Sequence, residues 1–243
     1  MNDAELARQI AAAAGQLLAD LRHTELFRGE TLGRLGDRLA NEFILAALRH
    51  HRPDDAILSE EEADDPARLD ATRVWIVDPL DGTREYGEGR ADWAVHVGLA
   101  IAGTAEVGAV ALPGLPLTLS SADGLVPPRR SGGRLRMLVS RTRPAPEAVA
   151  VAAGLDAELV PMGSAGAKTM AVVRGEADIY LHSGGQFEWD NCAPVAVARA
   201  AGLHVSRLDG GPLRYNQADT RVPDLLVCST ELAERVIGLA ART

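Results

Sequence analysis

The chain has almost no lysine: of its 25 basic residues only Lys168 is one, and the rest are arginine. Cysteine is scarce too, and Cys192 and Cys228 are too few for a disulfide framework or a four-thiolate zinc site. No apolar run reaches the ~18–20 residues that a membrane-spanning helix needs, so no membrane partner is expected. Positive charge is in deficit, with 25 basic against 34 acidic residues and a net charge of −9. That sign disfavours a nucleic acid polymer as partner, because a phosphate backbone rewards clustered cations. The acidic start, Met1-Asn2-Asp3-Ala4-Glu5, does not read as a secretory leader, and a cytoplasmic location is expected. What is present is the composition of a folded chain. Its 47% hydrophobic and 24% charged residues over 243 positions suffice for one large or two small cores.

Helical spacing of apolar residues predicts helices over 4–21 and 37–50. A short strand at 55–59 runs into an acidic loop at 60–65, and a buried strand at 74–77 ends at Asp78-Pro79. Residues 93–102 and 106–112 form a hairpin joined by Gly103-Thr104. The segment 127–133, rich in Pro, Gly and Arg, divides an N-terminal α+β domain (1–128) from a C-terminal α/β domain (129–243). In the second half, strands at 135–140, 158–162, 177–181, 203–206 and 225–229 are interspersed with helices near 147–153, 167–174, 190–201 and 231–241.

Three acidic clusters fall at the ends of these elements. The first is Asp78-Pro79-Leu80-Asp81-Gly82-Thr83. Burying two carboxylates at the end of an apolar strand is costly unless a cation compensates. Pro79 and Gly82 allow a turn in which both carboxylates could face one point, where hard oxygen ligands suit Mg²⁺ or Mn²⁺; taken alone, the segment also reads as an Asx-turn or a helix cap. A phospho-aspartate scheme needs carboxylates two residues apart, and the residue two before Asp81 is Pro79, so that scheme fails. The second cluster is Ser59-Glu60-Glu61-Glu62, beyond which Glu62, Asp64 and Asp65 read as a solvated loop. The third, Glu188-Trp189-Asp190, precedes an alanine-rich helix, where Asp190 reads equally as an N-cap or a ligand. Gly163-Ser164-Ala165-Gly166-Ala167-Lys168 opens another helix, whose N-terminus favours an anion that Ser164 and Lys168 would share.

Together, Glu60-Glu61, Trp75 through Thr83 and Trp189-Asp190 resemble the lithium-sensitive, Mg²⁺-dependent phosphomonoesterase superfamily. That group contains inositol monophosphatases, fructose-1,6-bisphosphatases and 3′(2′),5′-bisphosphate nucleotidases. Arg84-Glu85-Tyr86 and the segment 163–168 resemble the CysQ-type nucleotidases most. The resemblance implies a layered αβαβα sandwich and a homodimer. It implies one Mg²⁺ on Glu60, Asp78 and the Leu80 carbonyl, a second on Asp78, Asp81 and Asp190, and in some members a third. Gly82 and Thr83 would contact phosphate, alongside Glu60, Leu80, Asp81 and Asp190 at the substrate. Asp37 would partner Thr83, and Glu61 would assist the attacking water. Asp37 reads equally as an N-cap of the second helix, since no lysine precedes it as family members often have.

The implied activity is release of the 3′-phosphate of adenosine 3′,5′-bisphosphate to give AMP, in sulfate assimilation, with Lys168 on the uncleaved 5′-phosphate. The alternatives are a phosphatase of inositol monophosphate or fructose 1,6-bisphosphate, and a non-catalytic metal- or nucleotide-binding regulator.

Overall fold

The computed structural model describes residues 1–128 and 132–242. Two long helices, α1 (Asp3–His23) and α2 (Gly29–His51), open the chain. Leu6, Ile10, Ala14 and Leu18 form the buried stripe of α1, and Asn2 and Glu5 close its N-terminus by a reciprocal capping box. Both helices cover one face of a five-stranded sheet in the order β1 (Ala56–Ser59), β2 (Arg73–Asp81), β3 (Ala94–Ile101), β4 (Thr104–Leu112), β5 (Leu117–Ser120). Along β2, alternation sorts the side chains: Trp75 and Val77 join the α1/α2 core, while Val74 and Ile76 face the middle of the molecule.

The middle layer holds α5 (Ala165–Val173) and α6 (Glu188–Ala200). Beyond it lies a second sheet made of β6 (Arg136–Ser140), β7 (Glu158–Met162), β8 (Ile179–Phe187), β9 (His204–Ser206) and β10 (Arg221–Cys228), in the order β7-β6-β8-β10-β9. Two outer helices, α4 (Pro146–Leu155) and α7 (Thr230–Ala240), close the stack over a third apolar cluster. The short helix α3 (Thr83–Gly87) follows β2 directly. The stack is the layered αβαβα sandwich expected. The central apolar cluster draws residues from both sheets, from Ile76 to Val227. The expected domain boundary lies at 127–133, of which residues 129–131 fall outside the described residues. Among the described residues, no helix is long and apolar enough to cross a membrane.

Two cross-strand glycines, Gly98 on β3 and Gly108 on β4, fix where α6 lies. A Cβ at Gly98 would stand 2.9 Å from the Ala193 backbone nitrogen, and one at Gly108 2.2 Å from the Ala193 carbonyl oxygen. The helix backbone therefore rests directly on the sheet, which brings its first turn over the end of β2.

Three expected boundaries move. The second helix begins at Gly29 rather than Asp37, because Gly33 and Gly36 meet close neighbours instead of ending the helix. A Cβ at Gly33 would lie 2.6 Å from Thr83 Cγ2. Strand β2 runs through Asp78 and Pro79 to Asp81, with its register against β3 broken between Asp78 and Asp81. Strand β8 continues through Gly184 and Gly185 to Phe187.

Candidate active site

The end of β2, the start of α6 and the first turn of α5 converge. Asp78 and Asp81 are both buried at the end of β2, and Asp78 is the register partner of His96 on β3. Asp78 Oδ1 accepts the Leu80 N–H at 3.0 Å. Asp81 Oδ2 accepts the Ser164 hydroxyl at 2.6 Å and the Gly166 N–H at 2.7 Å, both from the N-terminus of α5. His96 Nε2 lies 3.2 Å from the same oxygen, and His96 Nδ1 lies 3.0 Å from the Trp189 carbonyl. Ser164 adopts φ 43° and ψ 130°, a strained conformation for a non-glycine residue, while its hydroxyl also caps α5 through the Ala167 N–H.

Asp190 is the third residue of α6 rather than its N-cap, and its Oδ2 accepts the Phe187 N–H at 2.6 Å. Glu60 follows β1, with its N–H donating to the Val77 carbonyl. Asp37 sits in the interior of α2, buried and far from any cap position. Its Oδ2 accepts the Thr83 hydroxyl at 3.1 Å, an oxygen equally placed to donate to the Leu80 carbonyl at 3.1 Å. Gly82 turns the chain at φ +91° and so lets Thr83 face α2. Glu61 is exposed, and its backbone N–H lies 3.5 Å from Ser59 Oγ.

The electrostatics are those of crowded like charges. Burial, then Glu60 and Asp81, hold Asp78 well above the ordinary carboxylate range. Burial, then Asp81, raise Asp190 to about 7, and burial with Glu61 raises Asp37 to about 7. Burial and the neighbouring carboxylates Asp81 and Glu61 also raise Glu60, against the hydrogen bond to Asp78. Burial would raise Asp81 as well, but His96, Lys168 and Ser164 outweigh it and hold that carboxyl at about 2. Asp37 Oδ1 is buried with no hydrogen-bond partner. Carboxylates this crowded and this poorly partnered fit a hard divalent cation, which would replace the missing counter-charge. Oxygen atoms of Asp78 and Asp81 come close enough, with His96 beside them, to hold one ion.

Lys168 does not face an open anion site. It is buried, and its ammonium donates to the carbonyls of Met162, Gly163 and Ser164 at 3.4, 2.9 and 2.7 Å. It stands 5.2 Å from the centre of the Tyr180 ring, and burial lowers its pKa to about 8. Ser164 is likewise engaged, with Asp81 and Ala167, so in this structure neither side chain is turned toward an open phosphate site. Three converging carbonyls need a slender three-donor cation, and arginine's planar fork does not fit there. Lys168→Ala is therefore expected to lower Tm by roughly 5–10 °C, from three buried carbonyls left bare. It should reduce kcat/KM to a similar degree on a bisphosphate and on a monophosphate. A loss confined to the bisphosphate would return Lys168 to the substrate.

Sequence reasoning missed His96 and Arg68, and gave Glu188 of the third acidic cluster no role of its own. Glu188 is buried, and its carboxylate accepts the N–H groups of Asn216 and Gln217, both at 2.7 Å. Asp64, expected to be solvated, pairs with the buried Arg68 at 2.6 Å, and Glu62 accepts the Asn41 amide at 3.0 Å. The i,i+4 spacing of Asp64 and Arg68 was the available signal. Glu85 of the Arg84-Glu85-Tyr86 segment is buried and pairs with Arg141 beyond β6 at 2.9 Å, tying the two sheets together at the cleft.

A centre of this kind places the chain among metal-dependent enzymes. The model of the inositol monophosphatase family matches residues 2–242, and the chain belongs to that family of metal-dependent phosphatases. It is 48% identical over 253 aligned residues to the 3′-phosphoadenosine 5′-phosphate phosphatase of Mycobacterium leprae, covering 98% of this chain and 93% of that protein. It is 33% identical to the 3′(2′),5′-bisphosphate nucleotidase CysQ of Escherichia coli, over 76% of this chain and 79% of that one. Among solved structures, CysQ of Bacteroides thetaiotaomicron aligns with a TM-score of 0.82 at 26% identity, covering 93% of this chain and 97% of that one. An inositol monophosphatase of Thermotoga maritima shares the fold with a TM-score of 0.80 at 18% identity, covering 100% of this chain and 98% of that one.

Proposed function

We propose that this chain removes the 3′-phosphate of adenosine 3′,5′-bisphosphate to give AMP, using two divalent ions, Mg²⁺ or Mn²⁺. The observation that carries the phosphatase chemistry is the close approach of the Asp78 and Asp81 oxygens, with Asp190 near enough for its charge to act on both, beside the Thr83–Asp37 pair. The substrate rests on the relative named for it, which is similar along nearly the whole chain. Inositol monophosphate and fructose 1,6-bisphosphate are the weaker reading, since the inositol monophosphatase of known structure cited above shares 18% of its residues with this chain. A non-catalytic regulator has no need of so many carboxylates at one point.

Glu60, Asp78, the Leu80 carbonyl, Asp81 and Asp190 would hold the ions. Bound there, divalent ions neutralise the phosphate and make water a better nucleophile. The chain's own residues supply the positioning and the proton path. Thr83 Oγ1 is placed to accept a proton from the attacking water while passing its own to Asp37 Oδ2, an acceptor held at about 7. Glu61, exposed at the rim, would help to orient that water. The backbone of Gly82 and Thr83 would face the phosphate.

With Lys168 occupied, another cation must meet the second phosphate. Arg143 follows β6 and lies against the open Gly184-Gly185 stretch of β8, where a Cβ at Gly185 would stand 2.9 Å from Arg143 Nη2. Its guanidinium has no ion-pair partner among the described residues. Burial and the charges of Lys168 and Arg143 push nearby His182 down to about 4, so a positive field reaches this edge of the cleft.

The test is phosphate release from adenosine 3′,5′-bisphosphate, inositol 1-phosphate and fructose 1,6-bisphosphate, with Mg²⁺ and with chelator. The nucleotide should be hydrolysed most efficiently, and chelation should abolish release. Arg143→Ala should raise KM roughly tenfold for the nucleotide bisphosphate, and at most about twofold for inositol 1-phosphate. Preferred hydrolysis of inositol 1-phosphate would overturn the substrate assignment.

A further inference from the structure

Arg68 is one of the few buried cations among the described residues, 2% exposed, and lies outside the carboxylate cluster. It forks onto both oxygens of Asp64 at 2.6 and 2.9 Å, and donates to Asn216 Oδ1 at 2.8 Å and to the Gln217 carbonyl at 3.0 Å. Asn216 answers with its own amide, donating to the Arg68 carbonyl at 2.8 Å. Asn216 is left-handed, at φ 58°, so that its N–H and that of Gln217 point the same way and form a nest. The anion in that nest is the carboxylate of Glu188, held at 2.7 Å by each N–H. Tyr215, one residue earlier, donates its hydroxyl to Asn191 Oδ1 at 2.9 Å.

The bonds form one continuous path. Asp64 belongs to the acidic loop that begins with Glu60 and Glu61, and Glu188 opens the helix that carries Asp190. The loop holds five acids in six positions, Glu60 to Asp65, and self-repulsion drives it outward. At its start the Glu60 N–H is held by the Val77 carbonyl, with Asn41 and Ser59 gripping the next residues, and at its end the side-chain anchor is Arg68.

We propose that Arg68 is a positioning residue for the metal centre. It strands the acidic loop to the start of α6 through the Asn216–Gln217 nest, and so sets the distance between Glu60 and Asp190 before any ion binds. The inference rests on the reading of Glu60 and Asp190 as metal ligands. Its consequence falls on metal affinity more than on the chemical step, because saturating metal restores the same geometry.

Asp64→Ala tests it, since Asp64 is half-exposed and its removal leaves Arg68 in place. Asp65→Ala is the control: it removes the same charge from the same loop, but Asp65 only caps the turn after it, through the Ala67 N–H. Mn²⁺ binding to each protein is measured by calorimetry, amide exchange in residues 60–66 is measured without metal, and kcat is measured at saturating Mg²⁺. Asp64→Ala should weaken Mn²⁺ roughly threefold to tenfold and speed exchange in the loop, with kcat within about twofold of the parent. Asp65→Ala should leave Mn²⁺ affinity within about twofold. Arg68→Lys, which keeps the charge but not the fork, should weaken Mn²⁺ as Asp64→Ala does. Equal affinities in the parent and Asp64→Ala, or equal losses in Asp64→Ala and Asp65→Ala, overturn the inference. A parent protein that binds no Mn²⁺ at all would instead overturn the reading of the metal centre.

Discussion

Asp190→Asn is expected to lower kcat by at least about a hundredfold at saturating Mg²⁺ while the protein stays folded. Changes to groups one step removed from a metal already cost roughly tenfold to a hundredfold, and here the charge of a ligand itself is lost. Asparagine keeps an oxygen for the Phe187 N–H, which Asp190 accepts at 2.6 Å, so the first turn of α6 survives. It also removes one of the buried like charges. Without metal, the variant should melt no lower than the parent at pH 8. Asp81→Asn should be as inactive but less stable, because Asp81 Oδ2 anchors both Ser164 and Gly166 at the start of α5. Phosphate release and thermal melting of the two variants, side by side, check the assignment. Full turnover in Asp190→Asn would remove that residue from the metal centre.

Metal-free protein is expected to lose roughly 5–10 °C in Tm between pH 5 and pH 8, and Mg²⁺ to restore most of it. Asp37, Asp190 and Glu188 all stand at about 7 in the folded chain, each raised first by burial. A carboxyl raised on folding holds its proton more tightly in the native state than in the unfolded one. Its contribution is therefore complete below the unfolded value near 4, and is lost as pH rises through about 7. Asp81, at about 2, acts in the opposite direction but only in acid, Lys168, lowered to about 8, acts above this window, and His182, lowered to about 4, opposes the three carboxyls only up to about pH 6.5. Divalent cations compete with those protons, so the gain in Tm on adding Mg²⁺ should grow from pH 5 to pH 8. Melting curves in chelator and in Mg²⁺ across that range are the measurement. A metal-free Tm that is flat or rising would show that these carboxylates are not stabilised in protonated form.

Much of the molecule is local and therefore legible. The apolar stripe of α1, the alternation along β2 and the Gly103-Thr104 hairpin each follow from residues within a few positions of one another. The carboxylates of Asp78, Asp81 and Asp190 stand out for a similar reason: acids at the ends of apolar segments are costly to bury without a compensating cation. Tertiary structure decided the rest. Asp37 lies in mid-helix because Gly33 and Gly36 serve close packing against Thr83, Tyr86 and Leu18, a contact invisible along the chain. Lys168 rests on three carbonyls because the loop before α5 folds back on it, a contact that charge type alone does not reveal. His96 meets Asp81 across a sheet, and Arg68 meets Asn216 at a separation of 148 residues. Residue identity and local spacing mark the groups that are chemically able to act. Which of them face the cleft and which hold it open depends on long-range packing, where a partner's identity is set by the fold and not by spacing.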